Sequence, residues 1–353
     1  MNSVTTQYTS TSKLYSPRDY GDVRGEYDAI RGGVAVIDLP AGKLEITGKN
    51  AVQFINGLVT NEIKTLNSGE GVLAAFLNPQ GKVVAICRIY KIGERLLLEM
   101  EAERRETIFK NLSRFVLAGE FFVNDSTEQY ALISLQGPRA TDLISELTDQ
   151  VIKPEPEFRI YECEVNGWHI LIASHSRCGG AGFDLFIPAE YADAVKQELL
   201  HRGVLFGARQ AGGEALEVAR IEAGIPREGV DVTENHILLE AGYEKAVSYT
   251  KGCYLGQEII ARIHWRGQPA KQLRGLFVDA DEIPTPGVEL YAEDGKKVGE
   301  ITSAARSFTL GQIVALGYVH RYYLKAGTAL KMKLDGAELG SATVAELPFI
   351  QQR

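Results

Sequence analysis

From about Lys271 onward the chain changes character. Its apolar runs shorten, and turn signals recur at Pro284-Thr285-Pro286-Gly287, Asp294-Gly295 and Asp335-Gly336. Proline pre-sets φ and glycine admits left-handed backbone, so turns this closely spaced leave room only for short strands. Short strands of this kind satisfy their hydrogen bonds by closing on themselves. Residues 271–353 are therefore predicted to form a small all-β domain, a barrel. The rest of the chain must then build cores of its own. At 353 residues the whole is too long for one ordinary core and divides into two or three domains.

Upstream, residues 1–18 are polar and rich in Ser and Thr, lack the apolar core of a secretory signal, and read as a flexible tail. Order is expected from near Tyr20. Gly33 to Asp38 reads as a buried strand, Lys43 to Thr47 as a half-exposed one, and Asn50 as the cap of a helix carrying Val52, Phe54, Ile55 and Leu58. Val72 to Leu77 and Lys82 to Tyr90 flank Asn78-Pro79-Gln80-Gly81, a hairpin signal. Arg95 to Met100 makes a third strand, and Glu101 to Phe115 has helical spacing. A second lobe is predicted over about 131–205. It comprises a strand, a helix entered through Pro138, two more strands, a Gly-rich turn at Cys178 to Gly182, and a helix from Tyr191 to His201. Residues 19–270 thus read as a two-lobed α+β region ahead of the barrel.

Composition narrows the function. A hydrophobic fraction of 45% with 24% charged residues is globular, and a net charge of -8 argues against a whole-surface nucleic-acid binder. No stretch approaches the roughly 18 apolar residues of a membrane helix. The four cysteines, Cys87, Cys163, Cys178 and Cys253, form no C-x-x-C pair. Their scatter disfavours a disulfide framework or zinc site and fits a reducing, cytoplasmic setting. Neither a P-loop nor a dinucleotide fingerprint is present, and the six histidines show no metal-ligand spacing.

Three features could carry chemistry. Cys253 is bracketed by Gly252 and Gly256 and preceded by Lys251. If Ile259 onward is helical, the dipole and the ammonium would both favour thiolate and lower the thiol from its usual pKa of about 8.5. The plainer reading is an ordinary loop with its cysteine packed inward. On a helical wheel Glu222 falls among Ala215, Val218 and Ala219, where a carboxylate is costly unless paired. A ligand offering parallel N–H groups, such as a pterin, would satisfy it, and so would an internal salt bridge. Glu217 and Arg220 are spaced for a surface pair. Lastly, Ile259 to Val278 contains no acid but includes Arg262, Arg266, Lys271 and Arg274. That stretch could hold an anionic ligand tail or simply form a solvated face, with Trp265 inside it read as core.

Lys251-Gly252-Cys253-Tyr254-Leu255-Gly256-Gln257-Glu258 resembles the signature of the YgfZ family, relatives of the glycine-cleavage T-protein (aminomethyltransferase) that take part in iron–sulfur protein maturation. Leu44 to Ala51 with Phe54-Ile55 looks like the superfamily's opening, and Arg220 to Pro226 followed by Glu240-Ala241-Gly242 looks like its folate-site region. The resemblance implies a three-lobed GcvT-like ring around a folate channel. Tetrahydrofolate, or a one-carbon derivative, would be the cofactor, with Glu222 on the pterin and Glu240, Arg262 and Arg266 also at the cofactor site. Cys253 and Lys251 would be the reactive groups, within the motif formed by Gly252, Tyr254, Gly256, Gln257 and Glu258.

T-proteins carry an Asp pair after the hairpin glycine, one of which assists methylene transfer. Here Ala85 and Ile86 stand in those places. The resemblance therefore implies a folate-dependent accessory protein for assembly or repair of iron–sulfur proteins, acting through Cys253 and without T-protein activity. The alternatives are a glycine-cleavage-type aminomethyltransferase and a tRNA-modification factor, acting on tRNA directly or through iron–sulfur enzymes that thiolate it.

Overall fold

The computed structural model describes residues 17–116 and 120–351. Most of the expected tail, residues 1–16, lies outside the described residues. Pro17 and Arg18 are held by the body of the protein: their carbonyls accept from the Gly213 and Glu214 amides at 3.0 and 2.9 Å.

The chain runs through α1 (Val23–Gly32), β1 (Val34–Leu39), β2 (Gly42–Thr47), α2 (Ala51–Asn56), the hairpin β3 (Gly71–Leu77) and β4 (Val83–Ile92), and β5 (Arg95–Met100). After α3 (Ala102–Ser113), β6 (Phe122–Asp125) completes a five-stranded sheet in the order β3-β4-β5-β2-β6. Then come β7 (Tyr130–Gln136), α4 (Ala140–Thr148), β8 (Ile160–Val165), β9 (Trp168–Ser174), β10 (Gly182–Pro188), α5 (Ala192–Arg202) and β11 (Ala208–Gln210). These form a six-stranded sheet, β11-β1-β7-β10-β9-β8, that recruits β1 and β11 from outside residues 131–205. α6 (Gly213–Glu222) and α7 (Gln257–Arg266) bracket a stretch of turns. β12 (Lys271–Asp279), β13 (Glu289–Tyr291), β14 (Lys297–Arg306), β15 (Ile313–His320), β16 (Ala329–Leu334) and β17 (Ala337–Ala345) close a barrel.

β4 shows why these units sit together. Ala85, Cys87 and Ile89 enter the core of their own sheet with Leu44, Ile55 and Leu98, while Ile86 and Tyr90 face the neighbouring units. A strand buried on both faces has no reason to alternate, which explains its nearly continuous apolar run. Asn50 stands before α2, but its side chain makes no capping bond.

The barrel is fastened to α6 by buried carboxylates. Asp231 accepts from the Arg220 guanidinium (2.7 Å), the Arg227 amide (2.9 Å), Ser303 Oγ (2.8 Å) and Thr302 Oγ1, and the Tyr318 hydroxyl donates to its carbonyl at 3.0 Å. Arg220, read from spacing as a surface partner of Glu217, pairs with that residue but is itself buried, because Asp231 draws it inward. Removing one partner of a buried ion pair leaves an uncompensated charge. Asp231→Ala is expected to cost about 3–5 kcal/mol in urea unfolding. A loss below about 1 kcal/mol would show that this clamp does not hold the barrel.

Candidate functional site

Cys253 is the one exposed cysteine among the four. Its loop lies on the tip of the β3–β4 hairpin. Gly256 has φ +82°, and a Cβ there would come within 2.7 Å of the Asn78 carbonyl oxygen, so both its conformation and its neighbour demand glycine. Gly252 has open space around it. The Lys251 ammonium spends its three donors on the carbonyls of Asn56, Val59 and Asn61, at 2.7, 2.7 and 2.6 Å. Burial lowers its pKa to about 8. The expectation that Lys251 would favour a Cys253 thiolate is therefore corrected, since the ammonium anchors the loop instead. Tyr254 is buried, with Lys251 Nζ 5.3 Å from its ring centre. Gln257 Nε2 reaches the Gly252 carbonyl at 3.4 Å, and Glu258 pairs with Arg262 at 2.6 Å on the surface of α7. α7 begins four residues after Cys253, at Gln257.

Glu222 is fully buried and its carboxylate is taken up internally. Tyr27 OH (2.6 Å), the Arg31 guanidinium and Ser307 Oγ all donate to it. Of the two readings of this carboxylate, the internal ion pair is the one the structure holds. Glu240 accepts from the Ile237 amide at 3.1 Å, a local bond that closes a turn. The acid-free stretch is divided between elements. Arg262 belongs to an exposed helix pair, Lys271 lies 4.6 Å from the Tyr318 ring centre, and Arg274 reaches Gln272 at 2.8 Å. The side chain of Arg266 lies outside the described residues. Trp265 is 71% exposed rather than core, edge-on to His264, whose ring stacks on Tyr249 at 3.7 Å. These two stacked rings line a cavity of about 150 Å³ beside Gln268 and Gln272.

Sequence reasoning missed the polar centre where the two sheets meet. Glu99 of β5 takes Arg88 of β4 at 2.6 Å and Arg177 at 3.3 Å, and Arg177 also binds Asp184 of β10 at 2.7 Å. Burial pulls the Glu99 pKa upward, but the two guanidinium groups outweigh it and hold the carboxyl below its usual range. Arg88 Nε donates to His175 Nε2 at 2.9 Å, and burial together with Arg88 and Arg177 keeps that ring's pKa well below its usual value. Beside this centre, Glu228 accepts from the Ile86 amide (2.9 Å) and from Arg104 Nε (3.1 Å). Burial raises its pKa to about 7. The adjacent Glu101 is raised as well, again first by burial. A charged residue inside an apolar strand, as with Arg88 and Asp184, was the available signal. Glu228, in an ordinary-looking Pro-Arg-Glu-Gly loop, offered none.

The GCVT N-terminal domain model matches residues 3–251, and the glycine cleavage T-protein C-terminal barrel domain model matches residues 271–351. The chain belongs to the glycine cleavage T-protein family. It is 30% identical to an aminomethyltransferase of Desulforamulus reducens over 95% of this chain and 92% of that protein. It is 29% identical to one of Saccharopolyspora erythraea over 98% of this chain and 94% of that protein. The aminomethyltransferase T of the Bartonella henselae glycine cleavage system shares its fold, with a TM-score of 0.83 at 22% identity over 94% of this chain and 90% of that one. The GcvT-like α+β fold with a closed barrel agrees with expectation, as does tetrahydrofolate as the family's cofactor. The accessory-factor reading, with iron–sulfur proteins as clients, is overturned: relatives matching nearly end to end carry the name aminomethyltransferase, the alternative. These comparisons lend no support to iron–sulfur or tRNA partners. Among the described residues no helix is long and apolar enough to cross a membrane.

Two outcomes follow. A brief iodoacetamide pulse read by mass spectrometry should label Cys253 first. Burial raises Cys163 to about 11 and Cys178 to about 12, and raises Cys87 further. Labelling of Cys178 at a comparable rate would contradict its burial. For Glu228 the folded carboxyl titrates at about 7 and the unfolded one near 4.5, so the folded state keeps a proton that the unfolded state has lost. Its stability contribution is therefore lost as pH rises from 4.5 to 7, by about 3 kcal/mol in total. Urea midpoints for Glu228→Gln should lack this slope between pH 5 and pH 8, and a slope unchanged from wild type would assign it to other groups.

Proposed function

We propose that the protein is a folate-dependent, aminomethyltransferase-type enzyme that moves a one-carbon unit from an aminomethyl donor onto tetrahydrofolate. The observation that carries this reading is the match of both domains, across nearly the whole chain, to a family whose relatives bear that activity in their names. The Ala85 and Ile86 departure argued for inactivity from sequence. In the folded chain position 85 belongs to the core of its own sheet, while position 86 faces the neighbouring units. At 86 the backbone amide already meets a carboxylate, supplied by Glu228.

We place folate near this centre, within the region 19–270 and ahead of the barrel domain 271–353. Glu222 would act from behind by fixing Tyr27, Arg31 and the barrel's Ser307. Lys251, Tyr254 and Gly256 would seat the loop that presents Cys253, with Gly252, Gln257 and Glu258 completing it. The likeness of this loop to the YgfZ branch is proposed as a matter of grouping within the family alone, and a cytoplasmic setting as consistent with cysteines that form no C-x-x-C pair.

Purified protein mixed with tetrahydrofolate and an aminomethylated carrier protein is expected to form methylene-tetrahydrofolate and ammonia. Calorimetry should show tetrahydrofolate binding without the carrier. Folded protein that binds folate yet transfers nothing in this assay would sink the reading.

A further inference from the structure

We infer that Glu228 is the proton-transfer group of this site, an assignment that rests on the folate-dependent transfer proposed above. Its side chain is 4% exposed, and the Arg104 side chain that pairs with it is 28% exposed. Each oxygen carries one protein donor: the Ile86 amide on one, Arg104 Nε on the other. A carboxylate offers roughly four acceptor positions, so acceptor capacity remains on both oxygens for a substrate N–H.

The groups facing it are few. α3 and the residue before it contribute Arg104 and Glu101, β4 contributes Cys87, and the turn segment after α6 contributes Tyr243. The loop that carries it is stiff. The Arg227 amide donates to Asp231 Oδ2 at 2.9 Å, Glu228 bridges to Val232, and the Tyr243 hydroxyl donates to the Pro226 carbonyl at 2.8 Å.

The other buried acids are provided for differently. Glu99, Asp184, Glu222 and Asp231 are each bound to guanidinium groups, Glu26 accepts from the Tyr20, Asp22 and Gly212 amides, and Glu240 from the Ile237 amide. Glu228 has one cation and one carboxyl beside it, and its proton is exchangeable near neutral pH. The chemistry needs such a group. Making the methylene bridge forms two N–C bonds, and each of the two folate nitrogens loses its proton. The transferred carbon's bonds to the amine nitrogen and to the carrier both break, and each leaving group keeps its electron pair and takes up one of those protons, so that ammonia and the protonated carrier depart. A single carboxyl can take a proton from folate and pass it to a leaving group in each half of the reaction, and no oxidant or reductant enters.

The test compares wild type, Glu228→Gln and Glu228→Asp for tetrahydrofolate affinity by calorimetry and for transfer rate from pH 5 to 9. Glu228→Gln is expected to bind folate within about threefold of wild type, to lose kcat by roughly 10²–10³-fold, and to lose the inflection near pH 7. Glu228→Asp keeps a carboxylate one methylene further back and should restore part of the rate together with a shifted inflection. If Glu228→Gln retains the wild-type rate and pH profile while wild type is active, Glu228 is overturned and the transferase reading stands. If wild type binds folate but transfers nothing at any pH, both fall.

Discussion

The arrangement of the two sheets depends on one buried contact set, in which Arg88, Glu99, Arg177 and Asp184 join β4, β5, β10 and the loop after β9. Bringing four charges out of water is costly, and their mutual attraction repays that cost only when every partner is present and well placed. A shift of one sheet by a residue would flip Arg88 or Asp184 into the apolar core on the other face of its strand. Apolar packing between the sheets, such as Tyr90 against Phe186, would tolerate small slides, but this ion network would not. The network therefore specifies geometry more than it adds stability.

The same logic fixes the barrel. α6 carries Arg220 and Glu222, and the loop after it carries Asp231, so both sides of the helix end in buried charge pairs whose further donors include barrel residues Thr302, Ser303 and Ser307. A carboxylate on an apolar helix face signals a demanding partner without naming it. From the sequence a pterin and a guanidinium were equally able to satisfy Glu222. The folded chain supplies Arg31 from α1, 191 positions away, which no spacing rule could anticipate.

How much was legible follows from this. Local signals worked where the cause was local. The Asn78 to Gly81 turn made the hairpin, Pro138 preceded α4, and short runs broken by Pro and Gly made the barrel. The cysteine motif was legible as a unit, though the chemistry assigned to it was not. Its lysine is consumed by three carbonyls of the 56–61 segment, and one of its glycines answers to a carbonyl across the hairpin, both non-local facts. The polar centre was hardest to see, because its members are scattered along the chain: Arg88, Glu99 and Asp184 each break an apolar strand, but nothing local says that they meet. Glu228 broke no pattern at all.

What separates a structural carboxylate from a reactive one here is the number and charge of its donors. Glu222 and Asp231 each hold a guanidinium and several further donors; Glu99 holds two guanidinium groups, which keep its carboxyl below the usual range. Glu240 answers a single backbone amide and closes a turn. Glu228 lies between these cases, buried like the first group but held by one amide and one partly exposed arginine, with a second carboxyl nearby. Burial favours its neutral form and outweighs the amide and Arg104, which favour the charged one, so its pKa rises to about 7. A third donor of the kind that serves Glu222 would tip that balance and turn Glu228 into one more clamp. Its under-provision is what leaves the proton free to move.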